Sequence, residues 1–423
     1  MAMDTIVRGG RVFDGQRLVE ADVRIRDGVI QQVGPGLDSE GCQVIDATGK
    51  VVSPGFIDLH VHLREPGFAH KETVRTGTQA AAAGGFTTIC AMPNLDPVPD
   101  SDQHLSVSEA CIQQGALVRV LPYCAITVGE KGQELVDFEG LHTRCAGFSD
   151  DGKGVQQEAM MRQAMERCAK VGALISAHCE DESLLDGGYI HQGTYAEKHG
   201  HKGICSASEY KPVERDVALS AATGCRYHVC HVSAKETLEI IRQSKAQGAP
   251  VSCEITPHHA LLCDEDIQGD DGRYKMNPPL RDKADREAIW QALRDGTADA
   301  IATDHAPHSA QEKSRGLAGS AMGIVGLETA FCTLHTGLVQ KGILPLERLL
   351  WLMTYGPAKV LGVPCGIQPG NQADLVLLDL AAQYTIDSNQ FYSMGKSTPF
   401  DGWHVTGKVV RTIYRGQTVY VEE

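Results

Sequence analysis

The chain has 423 residues, with 39 Lys plus Arg against 54 Asp plus Glu and a formal net charge of −15. Hydrophobic residues make up 42% and charged residues 22%, the balance of a folded globular protein and not of a disordered one. The acid excess excludes a general nucleic-acid binder, which needs Lys and Arg against phosphates, and leaves any anionic small molecule to be held by a few local cations.

Residues 4–50 read as short strands joined by tight turns. Val12 and Phe13 run into Asp14-Gly15, and Val23 and Ile25 alternate with charged residues before Asp27-Gly28, a hairpin signal. Strand-like runs return at 374–378, 409–414 and 419–421. Neither end is long enough to bury a core alone. The expectation is one small β-sandwich domain built from both termini, residues 1–53 and 365–423, with residues 54–364 inserted between them.

The middle changes texture. β-rich runs recur at 55–62, 86–93, 117–127, 145–150, 173–179, 226–232, 251–257 and 299–303, with helical stretches at 72–83, 156–170, 234–247 and 282–294. Eight strand candidates with crossovers between them imply an α/β fold with a parallel sheet, a (β/α)8 TIM barrel. An open doubly wound sheet is the alternative. It wants a Gly-rich phosphate loop after its first strand, where this chain has His60-Val61-His62.

The 14 Cys show no CxxC spacing, and Cys90, Cys124, Cys230 and Cys253 sit in apolar runs. They read as small buried thiols of a reducing compartment. Residues 1–10 are too poor in apolar side chains for a signal peptide, and no run has the length of a membrane span. The expected location is the cytoplasm, with no membrane and no nucleic-acid partner.

A barrel of this kind carries its chemistry at the C-terminal ends of its strands. The runs here end in His60-Val61-His62, Asp150-Asp151, His178, His231 and Asp304-His305. Residues i and i+2 of a strand share a face, so His60 and His62 enter the barrel mouth together. Imidazole and carboxylate suit zinc and related divalent ions. Four His and two carboxylates exceed one tetrahedral ion and match two ions sharing a bridging carboxylate. Periodicity does not decide whether Asp150 or Asp151 faces inward.

At these residues the sequence resembles a known family. PGFIDLHVHLREPG (54–67), AMPN (91–94), FSDDG (148–152), AHCED (177–181), HVCHVS (228–233), KMNPPLR (275–281) and ATDHAPH (302–308) are similar to motifs of the cyclic amidohydrolases, and together resemble the class I, long-form bacterial dihydroorotases. The resemblance spans essentially the whole chain. It implies a dihydroorotase, which interconverts N-carbamoyl-L-aspartate and L-dihydroorotate in de novo pyrimidine (UMP) biosynthesis.

The resemblance further implies two Zn2+ per chain bridged by a hydroxide. His60, His62 and Asp304 would hold one ion, His178 and His231 the other, with Asp151 bridging and Asp304 also the proton shuttle. His62, Arg64, Asn94, Asn277, His308, Met322 and Gly323 would contact substrate. Hydantoinases, allantoinases and short-form dihydroorotases bridge their metals with a carboxylated Lys. This chain has no Lys in that stretch before Lys153, which favours the long form. Ala321-Met322 departs from the family's usual Pro-Phe before the Gly. His258 and His259 are read as supporting or structural. The alternatives carried are a related allantoinase or hydantoinase and a non-catalytic barrel partner of aspartate transcarbamoylase; a homo-oligomer or a complex with that enzyme are the assemblies considered.

Overall fold

The computed structural model describes residues 4–422; the outermost residues of the expected β domain, 1–3 and 423, lie outside them. The N-terminal strands are β1 (Thr5–Phe13), β2 (Leu18–Arg26), β3 (Val29–Gly34), β4 (Gln43–Asp46) and β5 (Val51–Pro54). The middle contributes β6 (Phe56–Val61), β7 (Phe86–Ala91), β8 (Arg119–Pro122), β9 (Leu174–Ala177), the short pair β10 (Ile190–His191) and β11 (Gly203–Ile204), then β12 (Arg226–Val229), β13 (Val251–Ile255) and β14 (Ala300–Ile301). The C-terminal strands are β15 (Leu375–Thr385), β16 (His404–Tyr414) and β17 (Gln417–Val421).

The two chain ends meet at β5, which pairs parallel with β1 and antiparallel with β15. Through it β1–β5 and β15–β17 join into one eight-stranded mixed sheet. Alternation along the strands gives that sheet two buried faces. Val52, Leu375 and Leu377 pack with Val7, Val23 and Ile413, whereas Val51, Val376 and Leu378 enter the core of the middle segment.

The middle is an α/β fold with parallel strands. β6, β7 and β8 pair in parallel in that order, and β14, β13, β12 and β9 form a second parallel sheet. β6 reads FIDLHV and is buried at every position, as a parallel strand covered on both faces must be. The helices cover it with narrow apolar stripes. Glu158–Lys170 buries Met161, Ala164, Met165 and Cys168, and Lys283–Asp295 starts where Asp282 accepts from the Asp285 amide. The helix at Ala207–Thr223 escapes the sequence reading because it contains Pro212, which removes a main-chain donor.

The ladder differs from the expected eight strands at one place. Residues 145–150 form no strand; Phe148 alone makes parallel bridges to Cys124 and Ile175. Residues 146–149 still bond to both neighbouring segments through the main chain, and the pairing stops at Asp150. Its Oδ1 takes the amides of Ile126 and Thr127 at 2.8 and 3.0 Å, donors that a continued ladder would have used. Single bridges through Phe148 link Cys124, just past β8, to Ile175 of β9, and another joins Val61 to His305. All 14 Cys are free. Among the described residues no helix is long and apolar enough to cross a membrane.

Candidate metal centre and active site

Five of the six expected ligands sit at or just beyond a strand end, and Asp151 follows the bridged residue Phe148. His60 is in β6 and His62 one residue past it; His178, His231 and Asp304 follow β9, β12 and β14. Arg64, His231 and Asp304 have φ of 61°, 32° and 48°, a left-handed region that non-glycine residues avoid and that clusters at functional sites.

Asp151 is the hub. Its Oδ1 lies 3.3 Å from His60 Nε2 and 3.9 Å from both His178 Nδ1 and His231 Nε2, and its Oδ2 lies 3.5 Å from His62 Nε2. Two donor groups share it, His60-His62-Asp151 and Asp151-His178-His231, with the ligand atoms of each group within 4.8 Å of one another. Asp304 Oδ1 closes the first group at 3.2 Å from His62 Nε2 and 3.5 Å from His60 Nε2. Asp150 points away, onto Ile126 and Thr127.

These groups fit divalent cations. His60 Nε2 and Asp151 Oδ1 are buried and have no hydrogen-bond partner, an arrangement that costs free energy unless a cation engages them. Burial pushes the Asp151 carboxyl up, but the imidazoles of His60, His231 and His62 outweigh it and hold the group well below the carboxylate range. Burial opposes ionisation of Asp304 too, and His62 and His60 again prevail. The outcome is two ionised carboxylates inside a ring of imidazoles.

Supporting contacts orient the ring. His62 Nδ1 is 2.9 Å from Asn94 Oδ1 and His60 Nδ1 is 3.1 Å from Glu254 Oε1, so each Nδ1–H donates to an oxygen and, in the neutral form that would hold a metal, each Nε2 is left to face inward. Glu254 also takes His228 Nε2 at 3.0 Å and the His231 amide at 3.2 Å. Asp58 receives the His60 amide at 3.0 Å and the Thr303 hydroxyl at 2.6 Å; burial pushes it up to about 7. Glu180 receives Asn277 Nδ2 at 2.9 Å and lies 3.6 Å from His178 Nε2. Sequence reasoning missed Glu254, Asp58 and Glu180 as supports. The signal was an acid inside an apolar strand, VSCEI or FIDLHV, where a buried charge must find partners.

Arg64, Asn94, Asn277, His308, Met322 and Gly323 line one cavity of about 200 Å³ together with His62, Asp151, His178, His231 and Asp304. Arg64 is 8% exposed; its Nε donates to Pro307 O at 3.2 Å and its Nη2 lies 3.4 Å from His308 Nε2 on the cavity wall. His308 is neutral: burial, Arg64 and Lys71 push it down to about 3. Its Nε2–H donates to Met322 O at 2.8 Å, so it holds the Met322 strap besides lining the cavity. Gly323 has φ +132°, and a Cβ there would lie 2.7 Å from Ala306 Cβ, so only glycine fits. His259 is structural, joining Thr256 Oγ1 at 2.7 Å to Pro278 O at 3.0 Å beside Asn277. His258 is buried against it.

A family model described as Dihydro-orotase-like matches residues 49–237. A dihydroorotase of Geobacillus sp. is 50% identical over 422 residues, covering 99% of each chain. One of Halalkalibacterium halodurans is 48% identical over 424 residues, covering 100% of this chain and 99% of the other. Among solved structures, an L-hydantoinase (dihydropyrimidinase) from Arthrobacter aurescens superposes with a TM-score of 0.90 at 28% identity, covering 100% of this chain and 98% of the other. Full-length identity of this order, with the motif residues gathered in one cavity, leaves a single family assignment: the chain belongs to the dihydroorotases.

Proposed function

We propose that this chain is a zinc-dependent cyclic amide hydrolase that interconverts L-dihydroorotate and N-carbamoyl-L-aspartate. The observation that carries the reading is the joining of two His/Asp groups through Asp151 on the floor of a cavity whose wall holds Arg64. The two parallel sheets are read as one (β/α)8 barrel over 54–364, and the terminal sheet, 1–53 with 365–423, as a compact sandwich-like domain. The proposed location is the cytoplasm.

His60, His62 and Asp304 would hold one Zn2+, His178 and His231 the other, with Asp151 between them. Ions bound there supply a water of lowered pKa and positive charge against the carbonyl oxygen. The chain's own residues supply the rest. Arg64 receives the substrate carboxylate on its planar fork, which a Lys could not match. Asn94 and Asn277 offer amide groups to the ring edge, and Met322 and Gly323 close over it. In hydrolysis the bond between a ring nitrogen and the carbonyl carbon beside the CH2 group breaks. Asp304 takes the proton of the attacking water and passes it to that nitrogen, a task that needs a group able to accept and release one proton per turnover.

Hydantoinase or allantoinase activity is the second reading, favoured by the Arthrobacter superposition. Against it stands the lack of any Lys before Lys153 in the stretch that holds Asp151, and Lys153 does not line the cavity. A non-catalytic role beside aspartate transcarbamoylase is opposed by the full donor set of one chain. Steady-state turnover of dihydroorotate by the purified protein tests the assignment, and sedimentation with and without aspartate transcarbamoylase separates a homo-oligomer from a mixed complex.

A further inference from the structure

We propose that Lys313 is the positioning residue that sets the substrate-side wall of the cavity, by gathering the main-chain carbonyls of Lys275, Ala321 and Gly323 onto one ammonium. The inference rests on reading that cavity as the substrate site. Lys313 touches no metal-ligand candidate and does not line the cavity itself.

The geometry is specific. Lys313 closes the short helix Ala310–Lys313 and is 7% exposed. Its Nζ donates to Lys275 O at 3.0 Å, Ala321 O at 2.9 Å and Gly323 O at 2.7 Å. An ammonium has three donors, and all three are spent on carbonyls of two separate segments. One segment leads two residues on to Asn277; the other carries Met322 and Gly323. The Gly323 amide closes the ring by donating to Lys275 O at 3.0 Å. The two walls of the cavity are thus tied by the Lys313 ammonium together with the Gly323 amide and the Lys275 Nζ bond to Ala318 O at 3.0 Å.

A compact tetrahedral donor suits three converging carbonyls, and the planar fork of Arg does not. Burial and the nearby Lys275 push Lys313 down to about 7, with Asp271 opposing. A cation in so unfavourable a place is the mark of a local constraint, and what it constrains here is Asn277 against Met322 and Gly323. His308, through Met322 O, ties the same strap from the opposite side.

The test uses Lys313→Met, which removes all three donors, and Lys313→Gln, which keeps two, each as zinc-loaded full-length protein. Three quantities are read: KM and kcat for dihydroorotate, metal content, and hydrogen exchange at the Gly323 amide. The expected result is a KM raised about tenfold or more in Lys313→Met, the scale of buried carbonyls left without a donor, with a smaller rise in Lys313→Gln. Metal content stays at the wild-type level, kcat falls far less than KM rises, and Gly323 exchange quickens by about tenfold. Unchanged KM and unchanged Gly323 exchange in both variants overturn the proposal, as does loss of metal with kcat and KM affected alike. If Lys313→Met does not fold, Lys313→Gln and its Gly323 exchange decide. A wild type inactive on dihydroorotate sinks the functional reading instead, and the exchange measurement, which needs no substrate, still judges Lys313.

Discussion

His60 and Glu254 meet at 3.1 Å with neither side chain reaching solvent. The carboxylate is the third layer of the site: cavity, imidazole, then acid. Burial pushes Glu254 up, yet His228 and His60 hold it down at about 2, so it stays ionised and keeps Nδ1 of His60 protonated. In the neutral ring that would hold a metal, this leaves Nε2 as the inward-facing nitrogen. Glu254→Gln keeps the shape and removes the charge. Zinc affinity is expected to fall roughly 10–100-fold, the usual cost of a lost partner behind a metal-binding His. Chelator competition measures it; an unchanged affinity removes Glu254 from the metal-holding apparatus.

Asp304 carries the proton in this scheme. Asp304→Asn should lose roughly 10²- to 10⁴-fold in kcat, the range of general acid–base catalysis, while the thermal transition persists. Retained turnover means that another group moves the proton.

Arg64 should act through substrate binding. Arg64→Ala removes the planar cation from the cavity wall, and KM for dihydroorotate should rise by about 10²-fold, near 3 kcal/mol, with a smaller effect on kcat. Steady-state kinetics read both. An unchanged KM shows that Arg64 is not the carboxylate clamp.

Gly323 leaves no room for a side chain. In Gly323→Ala the new Cβ would stand 2.7 Å from both Ala306 Cβ and Ala306 O, at a φ of +132°. The expected cost is about 1–3 kcal/mol of stability, together with a raised KM as the strap shifts. Thermal unfolding and kinetics check this together, and a variant as stable and as active as wild type contradicts the packing described.

The ligand positions were legible because imidazoles and acids at strand ends stand out against apolar runs. The choice of Asp151 over Asp150 was not legible from periodicity, since adjacent residues of an extended run face opposite ways and nothing local marks the inward one. It depends on Asp150 being captured by the amides of Ile126 and Thr127, a tertiary event. The pairing at 145–150 is reduced to bridges through Phe148 and ends where Asp150 is captured, although β-propensity alone predicts a strand there. Glu254 and Asp58 looked like members of apolar strands, and only their partners, His60, His228 and Thr303, reveal why acids stand there. The terminal sheet was legible in outline because both ends alternate. That β5 joins them is a matter of register, which no local pattern encodes.

The most direct measurement is the rate of the purified, zinc-loaded protein on dihydroorotate, hydantoin and allantoin side by side, repeated after chelation. Turnover of dihydroorotate, its formation from N-carbamoyl-L-aspartate in reverse, little or no cleavage of the other two rings, and loss of activity on removing metal are predicted. Faster cleavage of hydantoin or allantoin than of dihydroorotate, or full activity in metal-free protein, would contradict the assignment.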